Sequence, residues 1–548
     1  MRLYKRALAV FNSLLIKILI MSDLFFEIYS EEIPSEIQDY SSRKIFNNVH
    51  QKLQKLFKKK FNGKYFFSPK RIGFYICEIP NLFQGNIREI RGPKVTATQQ
   101  ALEGFVRKYQ LKEISELIHK GSYYFYHQKC ASKCSKLIIK SVIEEIISNF
   151  VWPKSMRWGN FDIKWIRPIH TILCLFNSDV IRMSFGHITA NNKTYYKGKI
   201  QNILSFDQYR RILEDSHVYI FQEQRLKIIK NQAQKICDAH NIKMIKDEAL
   251  LKEVANLVES PHVAIGKIEK RFMKLPREIL VSMLKCHQKY LLTEDSEGRL
   301  TPYFIIVSNV MTSDQLKTVV DGNEKVLRAR LADAEYFYNK DLETTLVSKF
   351  KKLKNITLHH KIGSYYDTMQ NVKAVAFSIS NQLKINNNSK IELISKLMKS
   401  DLVTEIVIEL PELQGVAGYY YALNDGEDID VANAIKEHYL PQGPSDPVPS
   451  GIFSIIMTLS DKIVLLNSMF AINMRPTGSK DPYALRRTAI GIIRIICSNQ
   501  LDIYLKELLN NDVIKFIQER IKTLANSKTN IYSIDLKYIK RALAAVPL

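Results

Sequence analysis

Two groups of arginines in this sequence have the chemistry and spacing to hold an anion. Arg328 and Arg330 lie within Asp321-Gly-Asn-Glu-Lys-Val-Leu-Arg-Ala-Arg-Leu-Ala-Asp-Ala-Glu-Tyr-Phe-Tyr-Asn-Lys-Asp341. Lys480, Arg486, Arg487 and Arg494 sit at and after the turn Thr477-Gly-Ser-Lys-Asp-Pro482. A guanidinium presents a planar fork of N–H donors that matches a phosphate, and a helix start with nearby hydroxyls adds partial positive charge. Each group also has a plainer reading. Glu324 stands four residues before Arg328, and Asp333 three after Arg330, so the first group could be a solvated, ion-paired helix face. The second could be a buried ion-pair hub. Spacing alone leaves both pairs of readings open.

Other chemistry is scarce. No G-x-x-x-x-G-K-[ST] loop and no Gly-rich dinucleotide cradle occurs. His287 stands beside Gln288 and Lys289 with no second histidine or thiol nearby, which suits a hydrogen-bonded structural residue. The seven cysteines, at 77, 130, 134, 174, 237, 286 and 497, form no C-x-x-C and argue for reduced thiols, not a disulfide frame or structural zinc. All three tryptophans fall in Trp152-Pro-Lys-Ser-Met-Arg-Trp158-Gly-Asn-Phe-Asp-Ile-Lys-Trp165-Ile-Arg167-Pro-Ile-His170. Aromatics interleaved with cations could stack on a nucleic acid, or they could pack a core under cationic stems.

Elements must position these groups. Leu327, Leu331, Ala334 and Tyr338 follow the spacing of one buried helical stripe, with Asp321-Gly322-Asn323 as the expected N-cap. Upstream, Leu24–Tyr29 reads as a strand, 36–61 as a helix, and Pro69–Cys77 as a basic turn entering a strand. A turn at Arg91-Gly-Pro-Lys94 and a helix over 97–109 follow. Residues 206–270 read as helices, with Glu248–Leu257 amphipathic. From about 345 the pattern is strongly helical, broken by Leu440-Pro-Gln-Gly-Pro-Ser-Asp-Pro-Val-Pro449 and by the turn at 477–482.

The 548 residues suffice for three or four domains, and 46% hydrophobic with 25% charged residues is ordinary for folded protein. The net charge of +25 suits a polyanion partner; lysine enrichment from an A/T-rich coding bias explains it equally well. Residues 1–20 join a basic start to an apolar run that Lys17 interrupts. They read better as an upstream start before Met21 than as a signal or anchor, and no other stretch reads as membrane-spanning.

The segment GNEKVLRARLADAEYFYNKD closely resembles a signature of the β subunit of bacterial tetrameric glycyl-tRNA synthetase. The same family is matched, in order, by Leu275-Pro-Arg-Glu-Ile-Leu, Met283-Leu-Lys-Cys-His-Gln-Lys-Tyr290, Tyr303-Phe-Ile-Ile-Val-Ser-Asn309, Glu409-Leu-Pro-Glu-Leu-Gln-Gly415 and Arg475-Pro-Thr-Gly-Ser-Lys-Asp-Pro-Tyr-Ala-Leu-Arg-Arg487. One departure is Gly186-His-Ile-Thr-Ala-Asn-Asn-Lys-Thr-Tyr-Tyr-Lys-Gly, which lacks the His-Arg pair usual in that loop. The distant pair His187-Ile-Thr and Lys396-Leu-Met-Lys-Ser400 mimics class I synthetase signatures, but too loosely to count.

The resemblance implies an α+β multidomain chain: mixed α/β domains at the N-terminus, then an all-helical HD-like domain, then a helical C-terminal segment. The expected boundaries are 1–20 for the extension, 21–205, 206–345, 346–475 for the HD-like domain, and 476–548. The family normally continues into a helical anticodon-binding domain, before which this sequence stops. Where a working HD site would have paired His-Asp, the sequence has Lys399-Ser400-Asp401, with Asp461 and His438 beyond. A lysine ammonium has no free lone pair for a metal, so that site is expected to be catalytically dead. The implied activity is glycine–tRNA ligation by a class II synthetase in a cytoplasmic α2β2 assembly. ATP and Mg²⁺ are expected on the α subunit, and this chain is expected to bind tRNA(Gly) through Arg328, Arg330, Lys480, Arg486 and Arg487. No catalytic or metal residue is assigned. A stand-alone HD metal hydrolase and a non-catalytic RNA-binding remnant are the rival readings.

Overall fold

A computed structural model of the chain describes residues 21–83, 88–128, 133–157, 160–196, 198–309, 312–478, 480–526 and 536–544. The extension 1–20, Cys130 and Trp158 lie outside them. The chain is mixed α/β and divides into two compact units. The first comprises residues up to Ile265 with Thr293–Arg299 and Ile305–Val320; the second comprises Gly266–Leu292, Leu300–Phe304 and Asp321 onward.

The first unit is organised on the run Met21–Ser30. Its near-continuous apolar sequence suits a strand covered on both faces, and it is the middle strand of a five-stranded antiparallel sheet. The order is Asp179–Val180, Ile169–Phe176, Met21–Ser30, Arg71–Pro80, Gly63–Ser68. Phe26 stands opposite Phe74 on one side and Cys174 on the other. Alternation sends Leu24, Phe26 and Ile28 into one core, with Ile45, Val49 and Leu53 of the helix Ser35–Phe57 and Ile139 and Ile143 of the helix Ser135–Ser148. Phe25 and Phe66 join the opposite core, under Tyr209 and Leu213 of the helix Phe206–Asp215. Trp152 and Trp165 are buried edge to face, centroids 4.8 Å apart, beside Phe150 and Phe185. These two rings are therefore core, not a stacking platform.

A charged knot closes the second face of the sheet. Arg71 is fully buried and donates to Glu27 at 2.9 Å, Glu259 at 3.1 Å, Thr194 at 2.9 Å and the Tyr195 carbonyl. Tyr209 and Thr194 donate to Glu27, and Ser68 to Glu259. Arg225, also fully buried, donates from Nε to the Ala255 carbonyl and from Nη1 to the carbonyls of Phe67 and Tyr219, while Nη2 has no partner among the described residues.

Two local expectations fail in this unit. Arg91–Lys94 lies inside the strand Arg88–Lys94, because pairing with Tyr123–Gln128 continues past a register shift where a turn was expected. The stretch expected to be wholly helical up to 270 ends in the strand His262–Lys267, a short apolar run that periodicity alone cannot assign.

The second unit is mostly helical. Its most apolar helix, Ile452–Ala471, is long and apolar enough to cross a membrane by length and composition, which the sequence reading passed over. Most of its side chains are buried against the helices Tyr365–Gln382, Ile429–Glu437 and Leu485–Ser498, as befits a central core helix. The stripe Leu327, Leu331 and Ala334 is buried as expected. Its helix, however, runs Ser313–Leu342, so Asp321-Gly322-Asn323 is helix interior and not a cap. Favourable residues on both sides outweigh one glycine, which costs only about 1 kcal/mol in a helix. At the far end, Asp341 accepts the backbone N–H groups of Glu405 and Ile406 and the Tyr421 hydroxyl, each at 3.0 Å.

Candidate functional site

The helical second unit holds every residue that the sequence nominated for anion contact. Arg328 pairs with Glu269, and Arg330 with Glu409 at 3.6 Å, both guanidinium groups about half exposed. The intrahelical partners expected from spacing are not used. Glu324 instead accepts the backbone N–H of Lys267 at 2.7 Å. His287 sits on Glu412 at 3.0 Å, a structural bond of the expected kind.

The downstream group is built differently. Thr477 and Lys480 exchange backbone hydrogen bonds, which leaves the Lys480 side chain exposed. The helix Leu485–Ser498 then begins at Ala484, which adopts a left-handed conformation at φ +53°. Its first free N–H groups are taken: Leu485 and Arg486 donate to the two carboxylate oxygens of Asp481, at 2.9 and 3.0 Å. The helix start expected to seat a phosphate thus already carries its own anion. Arg494 donates to the carbonyls of Gly443 and Asp446 and fastens the proline-rich loop. Arg486 and Arg487 show no ion-pair partner among the described residues.

Behind this helix lies a cavity of about 260 Å³ whose wall includes Lys399, His438, Tyr439, Asp461, Lys462 and Arg487. Lys399 pairs with Asp461 at 3.1 Å and lies over the Tyr439 ring at 3.8 Å. Lys462 is nearly buried, and that burial pushes its pKa down to about 8; among the described residues its one hydrogen bond is to the Tyr439 carbonyl, at 3.3 Å. The absence of a side chain at Gly491 makes room for its stem, since a Cβ there would come within 3.3 Å of Lys462 Cε. His438 is fully buried and donates from Nδ1 to the Ile435 carbonyl at 2.6 Å. Its Nε2 has no hydrogen-bond partner among the described residues, and burial beside Lys399 keeps the ring neutral by lowering its pKa well below the usual histidine value.

Asp401 has a separate job. It is fully buried and accepts the N–H groups of Gly415 at 2.5 Å and Gly418 at 3.2 Å, while burial lifts its pKa to about 6. The cavity does not fit a divalent metal. Its carboxylate is occupied by an ammonium, and among the described residues no three His, Cys, Asp or Glu side chains are grouped to hold one. Sequence reading singled out Lys399, Asp461 and His438 but missed Lys462. Its signal was available, as a lysine beside an aspartate within Ile455-Ile-Met-Thr-Leu-Ser-Asp-Lys-Ile-Val-Leu-Leu466.

Comparison with known proteins settles the ancestry. The sequence model of the family "Glycyl-tRNA synthetase beta subunit" matches residues 24–540. The chain belongs to that family. It is 39% identical to the glycine–tRNA ligase beta subunit of Rickettsia canadensis over 539 residues, covering 94% of this chain and 79% of that protein. The counterparts of Rickettsia peacockii, at 38% over 526 residues, and Rickettsia felis, at 37% over 551 residues, cover 78% and 81% of their own lengths. Family membership joins the two arginine groups and the cavity in one inherited chain, since all three lie within the matched span.

Proposed function

We propose that this chain acts as the β subunit of a glycine–tRNA ligase, binding and positioning tRNA(Gly) while an α subunit forms the aminoacyl bond. The observation that carries the reading is the family match along nearly the whole chain. ATP and Mg²⁺ belong to the α subunit in this scheme, as substrate and its counter-ion, and the assembly is a cytoplasmic α2β2 tetramer. Holding the acceptor end in register can by itself supply several kcal/mol toward acyl transfer. Arg328, Arg330, Lys480, Arg486 and Arg487 are the proposed phosphate contacts, giving affinity and register, not base readout. Arg486, Arg487 and Lys480 suit this best, because no carboxylate among the described residues pairs with their side chains.

The region 346–475 is proposed to be an HD-like domain that has lost its metal chemistry. Support comes from Lys399, whose ammonium occupies Asp461, the carboxylate in the wall of the cavity. That observation weighs against the rival reading as a stand-alone metal hydrolase. The test is reconstitution: the chain mixed with its cognate α subunit should raise glycylation of tRNA(Gly) far above α alone. Equal rates with and without this chain would refute the proposal.

A further inference from the structure

The cavity between the helices Ile452–Ala471 and Leu485–Ser498 has a charge and hydrogen-bonding balance that the fold itself does not use. Three cations, Lys399, Lys462 and Arg487, face one carboxylate, Asp461. Each ammonium carries three donors, yet among the described residues Lys399 is ion-paired with Asp461 and Lys462 donates only to the Tyr439 carbonyl. Arg487 has no acceptor among the described residues. Burying a lysine without an acidic partner in contact is costly, and the helix would pack as well around an apolar residue of that length. The same wall contains the opposite surplus. His438 commits its N–H to a carbonyl, so Nε2 holds a lone pair, buried and unpartnered.

Surplus cationic donors with a single free acceptor describe the complement of a protonated oxyanion. Inorganic phosphate near neutral pH carries oxygens that accept from ammonium and guanidinium groups and an O–H that can donate, and a phosphate monoester has the same donor in its singly protonated form. Sulfate is the same shape but has no proton to give, and would set an acceptor against the Nε2 lone pair. We infer that this cavity is a metal-free seat for a hydrogen phosphate group, held by Lys399, Lys462 and Arg487 and distinguished from sulfate by His438. Arg487 stands at the mouth: its side chain is exposed, and it also lines a second cavity of about 560 Å³ with Arg486 and Arg494, where the rest of a monoester would lie.

The test is calorimetry on the full chain alone, in chloride buffer near pH 7, with inorganic phosphate as the probe. Because no tRNA or α subunit is present, the outcome is independent of the ligase reading. Saturable binding is expected, with sulfate at least about tenfold weaker, the discrimination of one buried hydrogen bond left unmade. Arg487→Gln, an exposed change with no partner to orphan, should weaken phosphate about tenfold, whereas Lys462→Met should abolish binding. His438→Phe should bring phosphate and sulfate to equal affinity. Competition by adenosine monophosphate would assign the seat to a free monoester, and competition by 5′-phosphorylated but not 5′-hydroxyl tRNA would assign it to an RNA end. Absence of a phosphate isotherm, equal affinity for sulfate, or an unchanged constant in Arg487→Gln would each overturn the inference.

Discussion

The first unit and the second each bury a cluster of charge, and the two clusters are opposite in design. Around Arg71 every guanidinium nitrogen has an acceptor, among Glu27, Glu259, Thr194 and the Tyr195 carbonyl, and both glutamates accept further hydroxyls; Nη2 of the neighbouring Arg225 is left without one. Around Lys462 there are three cations to one carboxylate, and donors and a lone pair are left over. A low-dielectric interior makes satisfied networks rigid and unsatisfied ones costly. The contrast therefore separates a cluster that serves the fold from one that the fold tolerates for another purpose.

The largest way to break this contrast is Arg71→Met. Removing the guanidinium leaves Glu27 and Glu259 without their shared cation, which should cost about 3–5 kcal/mol. Urea denaturation would read this as a lower midpoint with an unchanged slope. A loss under about 1 kcal/mol would mean that the knot is not needed for the first unit.

Lys462→Met should move the other way. A pKa held down from 10.5 to about 8 means that burial penalises the charged lysine by about 3 kcal/mol at most. The apolar variant should then be more stable than the parent at pH 7, by about 1–3 kcal/mol. The sign with pH follows. Below about 8 both folded and unfolded chains hold the proton, and the penalty is present in full. Between about 8 and 10.5 the unfolded chain still binds the proton that the folded chain has released, so the parent gains stability as pH rises. The advantage of the variant should shrink across that window in paired melts. An advantage that stays constant to pH 10.5 would refute the buried ammonium.

What the sequence discloses here depends on whether a signal is local. The strand at Leu24–Tyr29, the buried stripe of Leu327, Leu331 and Ala334, and the proline-rich break after Leu440 were legible, because period and turn chemistry act over a few residues. The helix start before Asp321 was not. A cap-like Asp-Gly-Asn is a weak local preference, and here it lies in the interior of a thirty-residue helix. Side-chain partners were hidden for a related reason. Glu269 and Glu409, which hold Arg328 and Arg330, are far from them in sequence, so nearest-neighbour spacing pointed to the wrong acids. The Arg71 knot was invisible altogether, being assembled from residues between 27 and 259.

A smaller effect sharpens the packing side of the first cluster. Gly73 stands opposite Glu27 in the sheet, and a Cβ there would fall against the Phe66 ring and the Phe26 carbonyl. Gly73→Ala should cost about 1–3 kcal/mol by overpacking. The same change at Gly104, where a Cβ meets nothing within 4 Å, should stabilise its exposed helix slightly. Equal effects at the two positions in thermal melts would break the argument from close approach.

The smallest change in stability belongs to Arg328 and Arg330, and it bears most directly on function. Both make exposed ion pairs, worth under about 1 kcal/mol each once solvent screening and side-chain entropy are counted. Arg328→Ala and Arg330→Ala should therefore leave the denaturation midpoint almost unmoved. If they contact phosphates, each should weaken tRNA(Gly) binding and lower the magnitude of the salt slope by about one. The two clusters frame how to read the result. A guanidinium already closed on a carboxylate must exchange Glu269 or Glu409 for phosphate, so its gain on binding is reduced by the pair it gives up. Arg486 and Arg487, with no acid to release, should lose more affinity when replaced than Arg328 and Arg330 do. The reverse ranking, measured by filter binding across a salt series, would move the RNA contact onto the long helix and away from the cavity mouth.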